Sequence, residues 1–235
     1  MSNVLHCWDT SVINLANLFK NIVYKRINVS SDITIISIMN LPCYNNSFLV
    51  KQSINSNFKL LVPDDALNVS SNDWTNILKI KCLVDALPKV KTKYVLVLDG
   101  KDTVLVNDLN NDFIANFINT KCDLIFNKQI IKYPNIKFDG EKEFNYINAG
   151  VCFGYTDIVY EFYKECEDLS SRETYISEYT NKPSEQYIVR KVASKTKLNV
   201  GIDEHYILFS TRECFGQCSE YLNTNYKDTK VDKTE

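Results

Sequence analysis

The apolar positions of this chain alternate between two kinds of run. Three are short, largely β-branched and nearly unbroken: ITIISIM at 33–39, FKLLVP at 58–63 and YVLVLD at 94–99. Runs of this kind predict strands buried on both faces. Between the second and third, WTNILKIKCLVDALPKV places Ile77, Ile80, Leu83, Val84 and Leu87 at helical spacing, which predicts a helix. The alternation continues downstream. LNNDFIANFIN predicts a helix, DLIFN at 123–127 a strand, and YINAGVCFGYT a strand with a bulge at its glycine, where a missing side chain lets backbone approach closely. DIVYEFYKEC predicts a helix with Asp157 as N-cap and Ile158, Val159, Phe162 and Tyr163 on its apolar side, because a short acidic side chain satisfies the first free N–H groups. A polar loop with tyrosines follows at 169–182; PSEQYIVRKVAS then opens another helix and LNVGID a further strand.

Unalternating strands separated by helices predict an α/β fold: a mostly parallel, Rossmann-like sheet flanked by helices in a single domain. Ahead of it, SVINLANLFKNIVYKR reads as an amphipathic helix packed on the outside. The expected division is an N-terminal helical segment at 1–30, the α/β domain at 31–222, and a charged, frayed tail at 223–235.

Composition narrows the function. The chain has 235 residues, 45% hydrophobic, with 27 basic against 29 acidic side chains, so it can build a sizeable core but lacks the dense positive charge that duplex nucleic acid requires. No leader pattern opens the sequence and no long apolar run could span a bilayer. The expectation is a soluble, cytoplasmic protein. Its eight cysteines are scattered, which fits reduced thiols; Cys214 and Cys218 lack the partner pair of a zinc knuckle. Abundant Asn, Ile and Lys fit an AT-rich genome, viral or low-GC, which would make the location host cytoplasm. The glycine patterns of dinucleotide-binding and P-loop proteins are both absent.

The chemistry concentrates at YVLVLDGKD. A buried strand ends on Asp99, steps over Gly100 and Lys101, and places a second carboxylate at Asp102. Open α/β sheets bind ligands at the carboxyl ends of their strands, and two carboxylates on one turn suit Mg²⁺ or Mn²⁺, which keep open positions for phosphates. The alternative is a capped turn with a solvated acid.

YVLVLDGKDTVLV resembles the D-x-x-D metal-binding motif of the GT-A glycosyltransferases, in the form found in the glycosyltransferase domain of procollagen-lysine hydroxylases and their viral and microbial relatives. YINAGVCFGYTDIVYEFYKEC is similar to that family's L-N-S-G-x-x-x-G segment, SEQYIVRK to its D-D-Q segment, and LNVGIDEHYILFST to its L-D-H-x-x-x-I-F pattern. These lie in the same order across about residues 33 to 210. The resemblance implies a GT-A fold and a retaining transferase that uses a UDP-sugar and Mn²⁺ (or Mg²⁺), with a glycan, protein or other hydroxyl as acceptor.

Carried over by position, Asp99 and Asp102 would hold the metal. In the match anchored on Asp203 and Phe209, Glu204 stands where the family has a histidine ligand and His205 one residue later, so either could complete the set. Asn148, Ala149 and Gly150 would lie beside the donor sugar or acceptor, with Gly150 and Gly100 permitting close backbone approach. Glu185 matches the second acid of D-D-Q, Ser184 replaces the first, and Glu185 would face the anomeric centre or the acceptor hydroxyl. It could equally be an acid matched to its helix dipole. Lys79 would reach the uracil or diphosphate, although a lysine on such a helix is more often solvated. Tyr44 would stack on the uracil ring. Two rivals are an inactive module acting by binding, suggested by Ser184 and the displaced His205, and a sugar-1-phosphate nucleotidyltransferase, whose basic glycine-rich loop is missing. The donor sugar, the acceptor and the oligomeric state are not legible.

Overall fold

The unbroken apolar runs form the centre of a twisted sheet. A computed structural model describes residues 2–7, 22, 24–129, 134, 136, 144–177 and 181–212. Its strands are β1 (Val4–Cys7), β2 (Ile33–Ile38), β3 (Leu60–Leu61), β4 (Tyr94–Asp99), β5 (Thr103–Leu105), β6 (Leu124–Lys128), β7 (Ile147–Tyr155), β8 (Val200–Ile202) and β9 (Phe209–Arg212). Its α-helices are α1 (Leu41–Asn46), α2 (Phe48–Ser56), α3 (Asp64–Leu67), α4 (Leu78–Ala86), α5 (Asn111–Asn119), α6 (Thr156–Arg172) and α7 (Glu185–Lys195). Six strands form the main sheet in the order β3-β2-β4-β7-β6-β8, flanked by helices, so the α/β class is as expected.

Only β7 runs against its neighbours, lying antiparallel to both β4 and β6. The sheet is therefore mixed, with one reversed strand at its centre. FKLLVP shrinks to the two residues of β3, which pairs with β2 alone at the sheet edge; short edge strands expose few unpaired backbone groups. The helix after β7 starts at Thr156 with Tyr155 as N-cap, and Asp157 sits in its first turn. Thr156 is pinned there by its N–H and hydroxyl, which donate to Lys93 O and Thr92 O.

Strand alternation divides the core in two. On β4, Val95 and Val97 join Ile36, Phe126 and Cys152 against Leu83 of α4, Phe162 of α6 and Val189 of α7. Tyr94, Leu96 and Leu98 point the other way, with Ile35 and Phe153, against Phe113 and Phe117 of α5. Phe153 meets both α5 rings edge-on, with centroids 4.8 and 4.9 Å away, a geometry that aromatic quadrupoles favour.

A second, three-stranded sheet has the order β5-β1-β9. It places Val4–Cys7 in a strand where the sequence pattern suggested only a helical segment. Its short, scattered strands carry no alternation long enough to read. The expected helix over 11–26 lies almost wholly outside the described residues, as do residues 213–235. Among the described residues no helix is long and apolar enough to cross a membrane.

Candidate functional site

The period of two that builds β4 also aims Asp99. Val95 and Val97 face the α4 and α7 side, so Asp99 emerges on that side as the strand runs out. Two helices begin there. Lys79 is the second residue of α4, and Glu185 is the first of α7, behind Ser184, whose hydroxyl caps the helix by accepting the Tyr187 N–H.

These three side chains meet. The Lys79 ammonium pairs with Asp99 Oδ1 and lies 3.2 Å from Glu185 Oε2. Side-chain exposure is 14% for Lys79, 23% for Asp99 and 6% for Glu185, so the lysine is largely enclosed and not solvated. Burial alone would lower the Lys79 pKa, yet the charges of Asp99 and Glu185 outweigh it and hold the ammonium above the ordinary lysine range. Burial pushes the Glu185 carboxyl up, Lys79 opposes this, and the Asp99 charge adds to it. The two shifts have different leading causes, carboxylate charge for Lys79 and burial for Glu185, and the Lys79–Glu185 attraction enters both.

The reversed strand completes the wall. β6 pairs Phe126 with Cys152 and then jumps to pair Asn127 with Asn148, leaving a bulge at Ala149–Val151 on that side. The Gln186 side chain fills the place of the lost ladder: its Oε1 accepts the Ala149 N–H at 2.8 Å and its amide donates to Ile147 O. Asn148 Oδ1 accepts the Gly150 N–H at 2.8 Å. Gly150 then lies directly against Asp99, where a Cβ would collide with Oδ2. The bulge expected at this glycine is present, and it brings Asn148 and Gly150 to the Asp99 carboxylate.

The end of β4 and the turn after it are fixed from β2 and from the segment beyond it. Ser37 Oγ donates to Leu98 O at 2.7 Å, and Ser47 Oγ to Gly100 O at 2.5 Å. A side chain on Gly100 would strike Met39. Asp102 follows immediately, just ahead of β5. Burial, then the charges of Asp99 and Asp102, push the Cys43 thiol on α1 up to about 11. Tyr44, next to Cys43 on α1, is partly exposed.

The third expected ligand is not gathered in. Glu204 is exposed and pairs with Lys128, and His205 beside it is exposed. Asp203, the anchor of the sequence match, does structural work: its buried carboxylate accepts the N–H groups of Ile207, Leu208 and Phe209 at 2.9, 2.7 and 2.8 Å. Among the described residues no three His, Cys, Asp or Glu side chains converge as a ligand group. The donor chemistry still fits a hard divalent cation of the kind held by one or two carboxylates, the other positions going to phosphate oxygens and water. Asp99 and Asp102, on either side of a turn pinned by Ser47, are the two residues that could hold it.

Gln186, Ser37, Ser47 and Cys43 shape the site without having been singled out from the sequence. Gln186 carried a signal, being the one residue of Ser184-Glu185-Gln186 that matches D-D-Q unchanged. The serines carried none, because their partners are backbone carbonyls far along the chain.

No protein-family model and no curated protein matches the sequence. Among solved structures, the chain is similar to a glycosyltransferase involved in the glycosylation of the major capsid of PBCV-1, at 16% identity and a TM-score of 0.46, over 84% of this chain and 91% of that one. It is also similar to 4-diphosphocytidyl-2C-methyl-D-erythritol synthase from Anaerococcus prevotii DSM 20548, at 12% identity and a TM-score of 0.34, over 86% and 99% of the two chains. Both likenesses are distant and assign no role to any residue here. Neither protein is a procollagen-lysine hydroxylase, so that finer resemblance rests on the sequence motifs alone.

Proposed function

We propose that this chain is a metal-dependent glycosyltransferase that moves a hexose, glucose or galactose, from a UDP-sugar to an acceptor hydroxyl with retention. The observation that carries the reading is the meeting of Asp99, Lys79, Glu185 and Gly150 at the carboxyl end of β4, where open α/β sheets bind ligands. The sequence motifs around the same residues support it.

Asp99 and Asp102 would hold Mn²⁺ or Mg²⁺, with His205 or Glu204 as a third ligand only after the loop rearranges. When bound, the cation supplies Lewis-acid neutralisation of the departing diphosphate. The chain's own residues do the rest. Lys79 is the buried cation beside Asp99 and would bind a diphosphate oxygen. Gly100 and Gly150, having no side chains, let the donor approach the backbone. Asn148, its Oδ1 engaged by Gly150, would present its NH₂ to a sugar hydroxyl. Glu185 would orient the acceptor hydroxyl on the face the diphosphate leaves, which is the geometry of retention. Holding the two reactants together supplies an entropic advantage independent of any bond the protein makes. Tyr44 on α1 would stack on uracil.

The test is UDP release from UDP-glucose and UDP-galactose with Mn²⁺. Turnover that disappears in Asp99→Asn and Asp102→Asn supports the reading. One observation favours a second reading, an inactive binding module: Asp99 is already paired with Lys79 and no three-ligand group forms among the described residues. UDP binding without turnover of any donor would favour that module, and absence of UDP binding would remove both.

A further inference from the structure

We infer that Lys79 is an exchangeable counter-ion, holding the place of a divalent cation on Asp99 and withdrawing onto Glu185 when the cation binds. The inference rests on the metal reading above and concerns how this chain keeps such a site folded while it is empty. Among the described residues, the Lys79 ammonium stands between two carboxylates, Asp99 and Glu185, and Asp99 is one of the two acids that would hold the cation.

The geometry permits the exchange without unfolding. Lys79 Nζ touches Asp99 Oδ1 and is already 3.2 Å from Glu185 Oε2, so the ammonium can release Asp99 while keeping a carboxylate partner. Its anchor does not move: Lys79 sits in the first turn of α4, whose Ile80 and Leu83 are packed in the core. The flexible stem alone carries the change. A partly desolvated carboxylate gains from a paired cation, and Lys79 is such a partner for Asp99. The cost is competition: a cation must displace an ammonium from Asp99, which weakens its binding until diphosphate offers Lys79 another anion.

The experiment is Mn²⁺ binding with no nucleotide present, by calorimetry or by the spin-resonance signal of free Mn²⁺, on the wild type and on Lys79→Gln. With the competing ammonium gone, the variant is expected to bind Mn²⁺ about tenfold more tightly, and Asp99→Asn in the same background should erase the gain. In chelator the variant should melt at a lower temperature than the wild type and recover more on adding Mn²⁺. Should Lys79→Gln fail to fold in chelator, Lys79→Met, which keeps the apolar stem, carries the same measurements. If the wild type binds Mn²⁺ together with UDP but neither variant gains affinity for Mn²⁺ alone, the counter-ion inference is wrong while the proposed function stands. If no form binds Mn²⁺ even with UDP, both are wrong.

Discussion

The Gly150 backbone lies against the Asp99 carboxylate, so closely that a methyl group on its Cα would overlap Asp99 Oδ2 and come within 3.0 Å of Asn148 Oδ1. Neither neighbour can withdraw cheaply, since Asp99 is held by Lys79 and Asn148 Oδ1 by the Gly150 N–H. Gly150→Ala is therefore expected to cost about 1–3 kcal/mol of stability, as overpacking of a filled site does, and to reduce binding of Mn²⁺ with UDP more than its stability loss explains. A variant with wild-type melting temperature and binding would show that the contact is slack.

Gln186 ties the start of α7 to the bulge of β7 through two backbone groups. Replacing it by Leu keeps the volume and leaves both groups without that partner, a loss of about 1–3 kcal/mol in urea denaturation. Because Gln186 positions Asn148 and Gly150, UDP affinity should fall as well. Unchanged affinity at reduced stability would make Gln186 purely structural.

Ser47 serves two elements at once: its hydroxyl accepts the Val50 N–H to cap α2 and donates to Gly100 O in the turn after β4. Ser47→Ala should cost about 1.5–5 kcal/mol, the sum of a lost cap and a buried carbonyl deprived of this donor. Amide exchange should quicken at Gly100–Asp102 as well as at the start of α2; quickening confined to the helix would separate the turn from the cap.

Glu185 gives stability a pH slope in chelator. Burial, partly offset by Lys79, raises its carboxyl from 4.5 to about 7. Inside that window the folded chain binds a proton that the unfolded chain has released, so stability falls as pH rises through it. Glu185→Gln removes this slope. The melting temperature of the variant relative to wild type should therefore improve from about pH 5 to about pH 8; a constant offset would contradict the assignment.

What could be read from the sequence depended on how far each signal travels along the chain. YVLVLD and ITIISIM announce central strands because their neighbours cover both faces. YINAGVCFGYT announces a strand equally well, but nothing in an unalternating run encodes direction, and its antiparallel place between β4 and β6 came only from the structure. Lys79 was the larger surprise. A lysine in the first turn of an amphipathic helix is ordinarily solvated, and its burial is imposed by Asp99 and by Glu185, far away in sequence. Asp99, Gly150 and Asn148 could be found by motif; the bond network that joins them could not, since most of its partners are backbone groups. Asp203, the anchor of the motif match, has a structural task that the motif does not state: its carboxylate accepts three N–H groups at the start of β9 and just before it.

The parallel pairing of Val4 with Phe209 in the small sheet sets the order of events on the ribosome. β1 can meet β5 early, but a two-stranded ribbon is at best marginally stable alone. Its third strand is not synthesised until nearly all of the described chain has emerged, roughly 5–20 seconds after β5 at ordinary elongation rates. Until then Val4 and Leu105 lack the cover that Phe209 gives them in the finished core. The nascent chain must pass through a period with an apolar ribbon exposed, in which a chaperone, rather than the rest of the protein, is its natural shelter.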